Sequence, residues 1–184
     1  MAVAPRIAVR DIALFERPIQ FARPFRFGAV TITDAVQVFV RAEVELEGGK
    51  TAVGASAEML APKWFDKRAH LSAEETAAEL RRSLAIARNL YLSRQGYETA
   101  FGLHAARIGA QGAVCAAEDI PPLAAGFGPA EIDKAVLDAV LRATGADFFA
   151  GMSGNIAGLD ARLTPDLSAD EMAATFVKTH RPSS

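Results

Sequence analysis

The sequence predicts an α+β fold in which a three-stranded antiparallel β-meander precedes a helical bundle. Apolar and polar residues alternate in the clearest strand pattern, over residues 36–46. A helix-start signal follows at residue 72, and the rest of the chain has helical spacing. Strands first and helices afterwards favour α+β over an alternating α/β chain.

The strand predictions cover the first 60 residues. In VQVFVRAEVEL (36–46) every second residue is apolar, which indicates a strand with one buried and one wet face and hence an antiparallel sheet. The glycine pair of EGGK (47–50) predicts a tight hairpin turn, and residues 51–60 form a plausible return strand. Residues 6–16, rich in β-branched and aromatic side chains, predict the first strand. RPIQFARPFRFG (17–28) is then the predicted connection between the first two strands.

The first two helices are predicted after residue 72. Ser72 and Glu75 have capping-box spacing, in which the hydroxyl accepts from a first-turn amide and the carboxylate reaches back to the cap's amide. A long helix is therefore expected over residues 73–94. Residues 97–118 predict a second, glycine-weakened helix, and the proline- and glycine-rich segment 119–128 predicts a loop.

A third helix and a tail complete the pattern. Pro129 is a favourable first-turn residue, and the apolar stripe that follows predicts a helix ending near Gly145. Ser168 and Glu171 repeat the capping-box spacing ahead of one short amphipathic helix.

Composition narrows the function classes. The net charge of −2 gives no electrostatic reason to expect nucleic acid or an anionic membrane as a partner. The chain has no continuous apolar run of about 18 residues, so no membrane span is expected. It also lacks a signal-peptide pattern, and a single cysteine, Cys115, excludes an intramolecular disulfide. A cytoplasmic location is the expectation, with Cys115 as a small buried hydrophobe.

Few residues have the spacing of a catalytic or metal site. His70, His104 and His180 are far apart in sequence, so each is assigned a structural or surface role. Asp133 and Asp138 lie about 140° apart around one helix axis and cannot share a small site, and Asp133 with its neighbour Lys134 is assigned to a solvated face. No catalytic residue and no metal ligand is predicted within the chain.

Three motifs, taken in order, resemble a known family. They are RPFRFG (23–28), the G-x-x-x-x-G-x-S pattern over 49–56, and A-x-x-D-A-x-x-R-A-x-G over 135–145. Residues 6–152 resemble the amino-terminal domain of the enolase superfamily, nearest to the mandelate racemase and muconate-lactonising branch. In that family a meander and a helical bundle cap a separate (β/α)₈ barrel.

The resemblance implies a chemistry that this sequence does not itself contain. The family abstracts a proton next to a carboxylate, and a divalent metal, usually Mg²⁺, stabilises the enolate. The metal ligands and bases stand on the barrel, which takes about 200 residues or more, whereas 32 residues follow Met152. The expected organisation is a capping domain over 1–152 and a tail over 153–184 that begins a missing or truncated barrel. No catalytic residue and no cofactor can be assigned to this chain, and Mg²⁺ is implied only for a full-length enzyme.

The resemblance also indicates candidate substrate contacts. In the family, the loop between the first two strands and the loop after the third strand reach over the barrel mouth, which corresponds here to residues 17–28 and 56–64. Prolines stiffen such a loop, aromatic rings exclude water and arginine binds carboxylates in a bidentate manner. Phe25 and Phe27 are interpreted instead as the start of a buried strand. The candidate substrate-binding residues are Ile19, Gln20, Phe21, Arg23, Glu58 and Trp64.

Three functions remain open at this point. The first is the capping domain of a racemase, cycloisomerase or dehydratase, whose partners are the missing or separate barrel domain and a small carboxylate substrate. The second is a stand-alone, non-catalytic binding or assembly module of the same fold, which could form a homo-oligomer. The third, an independent small enzyme, needs a catalytic constellation that the sequence does not display.

Overall fold

The computed structural model of the chain describes residues 3–28, 30–61, 63–93 and 96–177. It contains a three-stranded antiparallel sheet in the order β1-β2-β3, followed by helices. The strands are β1 (Ile7–Phe27), β2 (Val30–Leu46) and β3 (Thr51–Met59). The predicted meander and the α+β class are thereby confirmed.

The alternating segment of β2 has the predicted buried face. Val38, Val40, Ala42 and Val44 are each at most 2% exposed, since this face packs under the helices. The turn between β2 and β3 is also as expected. Gly49 adopts a positive φ of 84°, a conformation that glycine takes without steric cost, and its amide donates to Leu46 O at 2.7 Å.

The predicted connection over residues 17–28 is wrong, because β1 continues through Phe27. Arg17 still pairs in register with Gln37, and a wide bulge then places residues 21–24 opposite the single residue Thr33. β1 is an edge strand, so Pro18 costs no ladder hydrogen bond inside the sheet, and the second proline, Pro24, falls in the bulge. The sequence shows the prolines, but not that their strand lies at an edge.

The interpretation of RPFRFG as the start of a buried second strand is also wrong. Residues 25–27 end β1, where they pair with residues 30–32 at the start of β2. Phe25 is 51% exposed, so it is not a core residue. The side chain of Phe27 lies outside the described part of the chain.

Three of the predicted helices each have one end where the sequence places it. The capping box at Ser72 forms, since Glu75 N donates to Ser72 Oγ at 3.1 Å and Ser72 N donates to Glu75 Oε2 at 2.6 Å. Gly145 caps the C-terminus of the helix Phe127–Thr144 with a φ of 71°. The second capping box, between Ser168 and Glu171, precedes the helix Ala169–Val177 as predicted. The helices are α1 (Ala73–Leu92), α2 (Ala100–Ala105), α3 (Ile108–Ala117), α4 (Pro122–Ala125), α5 (Phe127–Thr144), α6 (Phe148–Ser153) and α7 (Ala169–Val177), with a 3₁₀ turn at Ala161–Leu163.

The predicted second helix is two helices, because the helical hydrogen-bond pattern is interrupted at Arg107. The amide of Arg107 donates to His104 O, a tightened turn, while its guanidinium donates to Leu103 O at 2.7 Å and to Leu90 O at 3.2 Å. The guanidinium thus satisfies Leu103 O, the carbonyl that the Arg107 amide would have bonded in a continuous α-helix. In addition, α4 lies in the predicted loop, α5 begins at Phe127 and not Pro129, and α6 was not predicted.

The sheet packs closely against α5. A Cβ atom on Gly54 would lie 2.2 Å from both Ala135 O and Ala139 N, so only glycine permits this approach. α1 packs beside α5, and together these helices cover the buried face of the sheet. Within the described ranges, no helix is both long and apolar enough to cross a membrane.

Candidate functional site

The two candidate segments of the sequence meet at one end of the sheet. Pro18 pairs with Val36 on one side of β2, and Leu60 N donates to Val36 O at 2.8 Å on the other. The outer part of β1 and the segment after β3 therefore flank the same stretch of β2. We call residues 18–25, 58–61 and 63–65 the hairpin-end surface.

The larger depression in this surface is a cleft of about 660 Å³ between the outer sheet and the start of α1. Ile19 and Gln20 line one wall, and Ala73 and Glu74 of α1 line the opposite wall. Glu74 accepts a hydrogen bond from Arg81 Nη1 at 2.7 Å, so its charge is partly neutralised. The cleft is open to solvent and has apolar walls with a few polar groups, which is the usual character of a small-molecule site.

A second depression, of about 280 Å³, lies between the end of β1 and the segment after β3. Phe25 and Trp64 line it, and each of these aromatic side chains is 51% exposed. Phe65 closes its floor, packed edge-on against Phe127 with ring centroids 5.2 Å apart. Glu58 lies at its rim and pairs with Lys134 Nζ at 3.4 Å.

Four of the six candidate residues therefore line these two depressions. Ile19 and Gln20 line the cleft, while Glu58 and Trp64 line the smaller groove. Phe21 and Arg23 lie in the β1 bulge and line neither, Phe21 being half-buried and Arg23 exposed. The structure brings all six to one end of the sheet but does not converge them on a single cavity.

Sequence reasoning missed a buried carboxylate beside this surface. Glu131 on α5 is buried, its Oε1 binds Lys134 Nζ at 2.6 Å, and its Oε2 has no hydrogen-bond partner among the described residues. Burial raises the pKa of Glu131 above its ordinary value, although the ammonium of Lys134 opposes the change. Lys134 thus bridges Glu131 to Glu58. The i,i+3 spacing of Glu131 and Lys134 is visible in the sequence and indicates an ion pair on one helix face. The burial of Glu131 is not visible in the sequence.

The assignment of Asp133 to a solvated face is incomplete, because its side chain is only 30% exposed and has two partners. Its Oδ1 accepts a hydrogen bond from Tyr91 Oη at 2.6 Å, and its Oδ2 lies 2.7 Å from His104 Nδ1. These three residues join α1, α2 and α5 at a partly exposed position on the side of the bundle. Asp138 points elsewhere, accepting from Ala55 N at 2.9 Å, which confirms that the two aspartates do not share a site.

The described residues do not fit the Mg²⁺ that the family resemblance implies. Among them, no group of three or more His, Cys, Asp or Glu side chains is placed to hold a metal ion. Cys115 is buried, as expected, and burial raises the pKa of its thiol. Comparison with known proteins yields no matching family model and no significant match among curated proteins.

Proposed function

We propose that the chain is the capping domain of an enolase-superfamily enzyme of the mandelate racemase and muconate-lactonising type. The observation that carries the proposal is the hairpin-end surface, where the end of β1 and the segment after β3 flank the same stretch of β2. In the resembled family, the loop between the first two strands and the loop after the third strand reach over the substrate; here the first of these segments is the outer part of β1. The meander followed by helices is compatible with the same assignment.

The residues of the hairpin-end surface suit contact with a small carboxylate. Arg23 is exposed and makes no hydrogen bond or ion pair with another described residue, so its guanidinium is available to bind a carboxylate in a bidentate manner. Ile19 lines the cleft and Trp64 the smaller groove, so each gives an apolar wall to a ligand bound in its own depression. Gln20 adds an amide that can donate or accept a hydrogen bond. The proton transfer belongs to the barrel of the proposed enzyme.

The experiment begins with the DNA beyond codon 184. The proposal requires a barrel, encoded in the continuing reading frame or in a neighbouring one, that can be produced together with this chain. The activity would be measured on a panel of carboxylic acids in D₂O with Mg²⁺ present. ¹H NMR would monitor the exchange of the proton next to the carboxylate.

Variants of the hairpin-end surface then test substrate contact. Arg23→Ala and Trp64→Ala are each expected to raise KM about tenfold, the size of one lost charge-assisted bond or apolar contact. Val114→Ala on α3 is the control, because Val114 is also an exposed apolar residue but lies outside the hairpin-end surface. The absence of any barrel frame, or a barrel equally active without this chain, would refute the proposal.

A non-catalytic assembly module of the same fold is the second candidate. It is favoured by exposed aromatic side chains on α6, where Phe148 is 65% and Phe149 50% exposed. Apolar surface of this kind often marks an interface. Light scattering coupled to size exclusion would detect the oligomer, and Phe148→Ser should dissociate it. A monomer at all concentrations would contradict this second candidate.

A further inference from the structure

The hydrogen-bond chain of Tyr91, Asp133 and His104 leaves one polar atom without a partner. Both oxygens of Asp133 and the Nδ1 atom of His104 are used within the chain. The other ring nitrogen, His104 Nε2, makes no hydrogen bond with any described residue. A purely structural role uses the first three atoms, and His104 Nε2 on this 27% exposed side chain is left available to a ligand.

His104 also lines a pocket of about 300 Å³. This volume is at the lower end of the range for small-molecule sites, which suits a ligand with a single ring or a short chain. Apart from His104 and Asp133 the walls are apolar. They comprise Ala100, Phe101, Leu137, Met152, Ala157 and Leu159.

The pocket is separate from the hairpin-end surface. Asp133 and Leu137 line it from α5. Ala135, midway between them in sequence, contacts β3 through the close approach at Gly54. Residues two apart on a helix are about 160° apart around its axis, so the pocket and the sheet lie against opposite faces of α5.

We propose that this pocket binds a small organic acid, whose carboxylate accepts a hydrogen bond from His104 Nε2–H. The apolar part of the acid lies against Phe101, Leu137 and Leu159. Asp133 orients the imidazole by holding Nδ1–H, and Tyr91 fixes Asp133 in turn. Binding in this pocket does not require a barrel domain, so this proposal is independent of the proposed function.

The protonation state of His104 decides which ligand fits. When the ring is neutral, Asp133 retains the proton on Nδ1 and Nε2 is an acceptor; when the ring is protonated, Nε2 becomes a donor. The hydrogen bond to Asp133 raises the pKa of His104 above its ordinary value, against the opposing effect of burial. A carboxylate ligand therefore selects the imidazolium, and its affinity falls as the pH rises through this pKa.

Other charged groups near the pocket already have partners. The Arg107 guanidinium lies 5.3 Å from the centre of the Tyr91 ring and donates to two backbone carbonyls. The Arg162 guanidinium lies 5.9 Å from the centre of the Phe101 ring and forms an ion pair with Asp160. Glu98, just before α2, attracts Arg162. Asp133 is in direct contact with the imidazole of His104, and Tyr91 is in direct contact with the carboxylate of Asp133.

The test uses the chain alone, with benzoate and butyrate as probes and benzamide as the neutral counterpart of benzoate. NMR titration should show saturable ¹⁵N shifts at His104 Nε2, with benzoate binding about tenfold or more tighter at pH 6 than at pH 9. His104→Phe should weaken benzoate binding about tenfold or more, the effect of one hydrogen bond to a charged group. His70→Phe is the matched control, because His70 is exposed and lies outside the pocket.

A second variant covers the case in which His104→Phe fails to fold. Ala100→Leu fills the pocket from its wall without touching the hydrogen-bond chain, and it should weaken both benzoate and benzamide binding. No saturable shift with benzoate or butyrate would overturn the proposal. Equal binding of benzoate and benzamide at both pH values would also overturn it. Since no barrel is present in the experiment, neither result bears on the capping function.

Discussion

The sheet–α5 interface and the hairpin-end surface are built from the same strands but are packed in opposite ways. At the interface, β3 backbone meets α5 backbone at Gly54, and four inward side chains of β2, Val38, Val40, Ala42 and Val44, are at most 2% exposed. At the hairpin-end surface, Phe25 and Trp64 stay half exposed beside open depressions. Close packing fixes the fold in the first region, whereas the second leaves apolar surface available to a ligand or partner. We therefore expect substitutions to affect stability in the first region and binding in the second.

The largest effect is expected at the interface. In Gly54→Ala the new methyl group would overlap the backbone of Ala135 and Ala139, which cannot move without shifting α5. The expected loss in unfolding free energy is about 3 kcal/mol or more, at the upper end for overpacking. Urea denaturation monitored by circular dichroism measures this loss in unfolding free energy.

Gly112→Ala is the matched control for this substitution. Gly112 lies in α3, where an added Cβ meets nothing within 4 Å. Replacing a helical glycine should stabilise the chain by about 0.5–1 kcal/mol. If Gly54→Ala behaves like Gly112→Ala, the close approach of β3 to α5 is not as described.

The next effect tests whether a partly exposed hydrogen-bond chain between helices contributes less to stability than the close-packed interface. Asp133→Asn removes the carboxylate that pairs with His104 and accepts from Tyr91, at a cost of about 1–3 kcal/mol. Because Asp133 raises the pKa of His104, its stabilising effect is fully present below the unfolded pKa of about 6.5 and is lost as the pH rises through the folded pKa. The variant should therefore lose more stability at pH 5.5 than at pH 9.

Urea denaturation at the two pH values measures the difference. Asp34→Asn serves as control, since Asp34 is an exposed aspartate whose hydrogen-bond donor is the neighbouring Thr33. The control should show no such pH-dependent loss. A loss for Asp133→Asn that is equal at both pH values would contradict the charged His104–Asp133 pair.

A smaller effect is expected at the border between the two regions. Ser72 caps α1, whose first turn forms a wall of the cleft through Ala73 and Glu74. Ser72→Ala removes one half of the capping box and should cost about 1 kcal/mol. Ser72→Asp retains an acceptor and should restore most of the loss, as measured by thermal unfolding. A full loss in both variants would show that the hydroxyl does not act as a cap.

A feature of the fold could be predicted from the sequence where the pattern that indicates it lies within a few neighbouring residues. The alternation over 36–46 and the capping box at Ser72 are local patterns, and both are confirmed. The edge position of β1, which lets the strand run through Pro18, is a property of the whole sheet. The contact between Asp133 and His104 likewise joins residues 29 positions apart, and no local pattern indicates it.

The candidate site follows the same distinction. The sequence indicated two candidate segments, because their composition is unusual and the family resemblance marks their positions, and the structure places both at one end of the sheet. It could not predict that Phe21 and Arg23 sit in a bulge, since a bulge is defined by the register with a partner strand. Glu131 was missed for a related reason, as its burial depends on β3 packing over α5.

The smallest effect on stability compares two arginines of β1, Arg17 before the bulge and Arg23 within it. Arg17 donates to Gln37 Oε1 at 2.8 Å and its guanidinium lies 5.4 Å from the centre of the Phe39 ring, so Arg17→Ala should cost about 0.5–1 kcal/mol. Arg23 is exposed and makes no hydrogen bond or ion pair with a described residue, so Arg23→Ala should change the unfolding free energy by less than about 0.5 kcal/mol. Urea denaturation of both variants under one condition measures the difference. A loss above about 1 kcal/mol for Arg23→Ala would place the bulge with the structural part of the sheet, and would remove the reason to expect Arg23 to be free for a ligand.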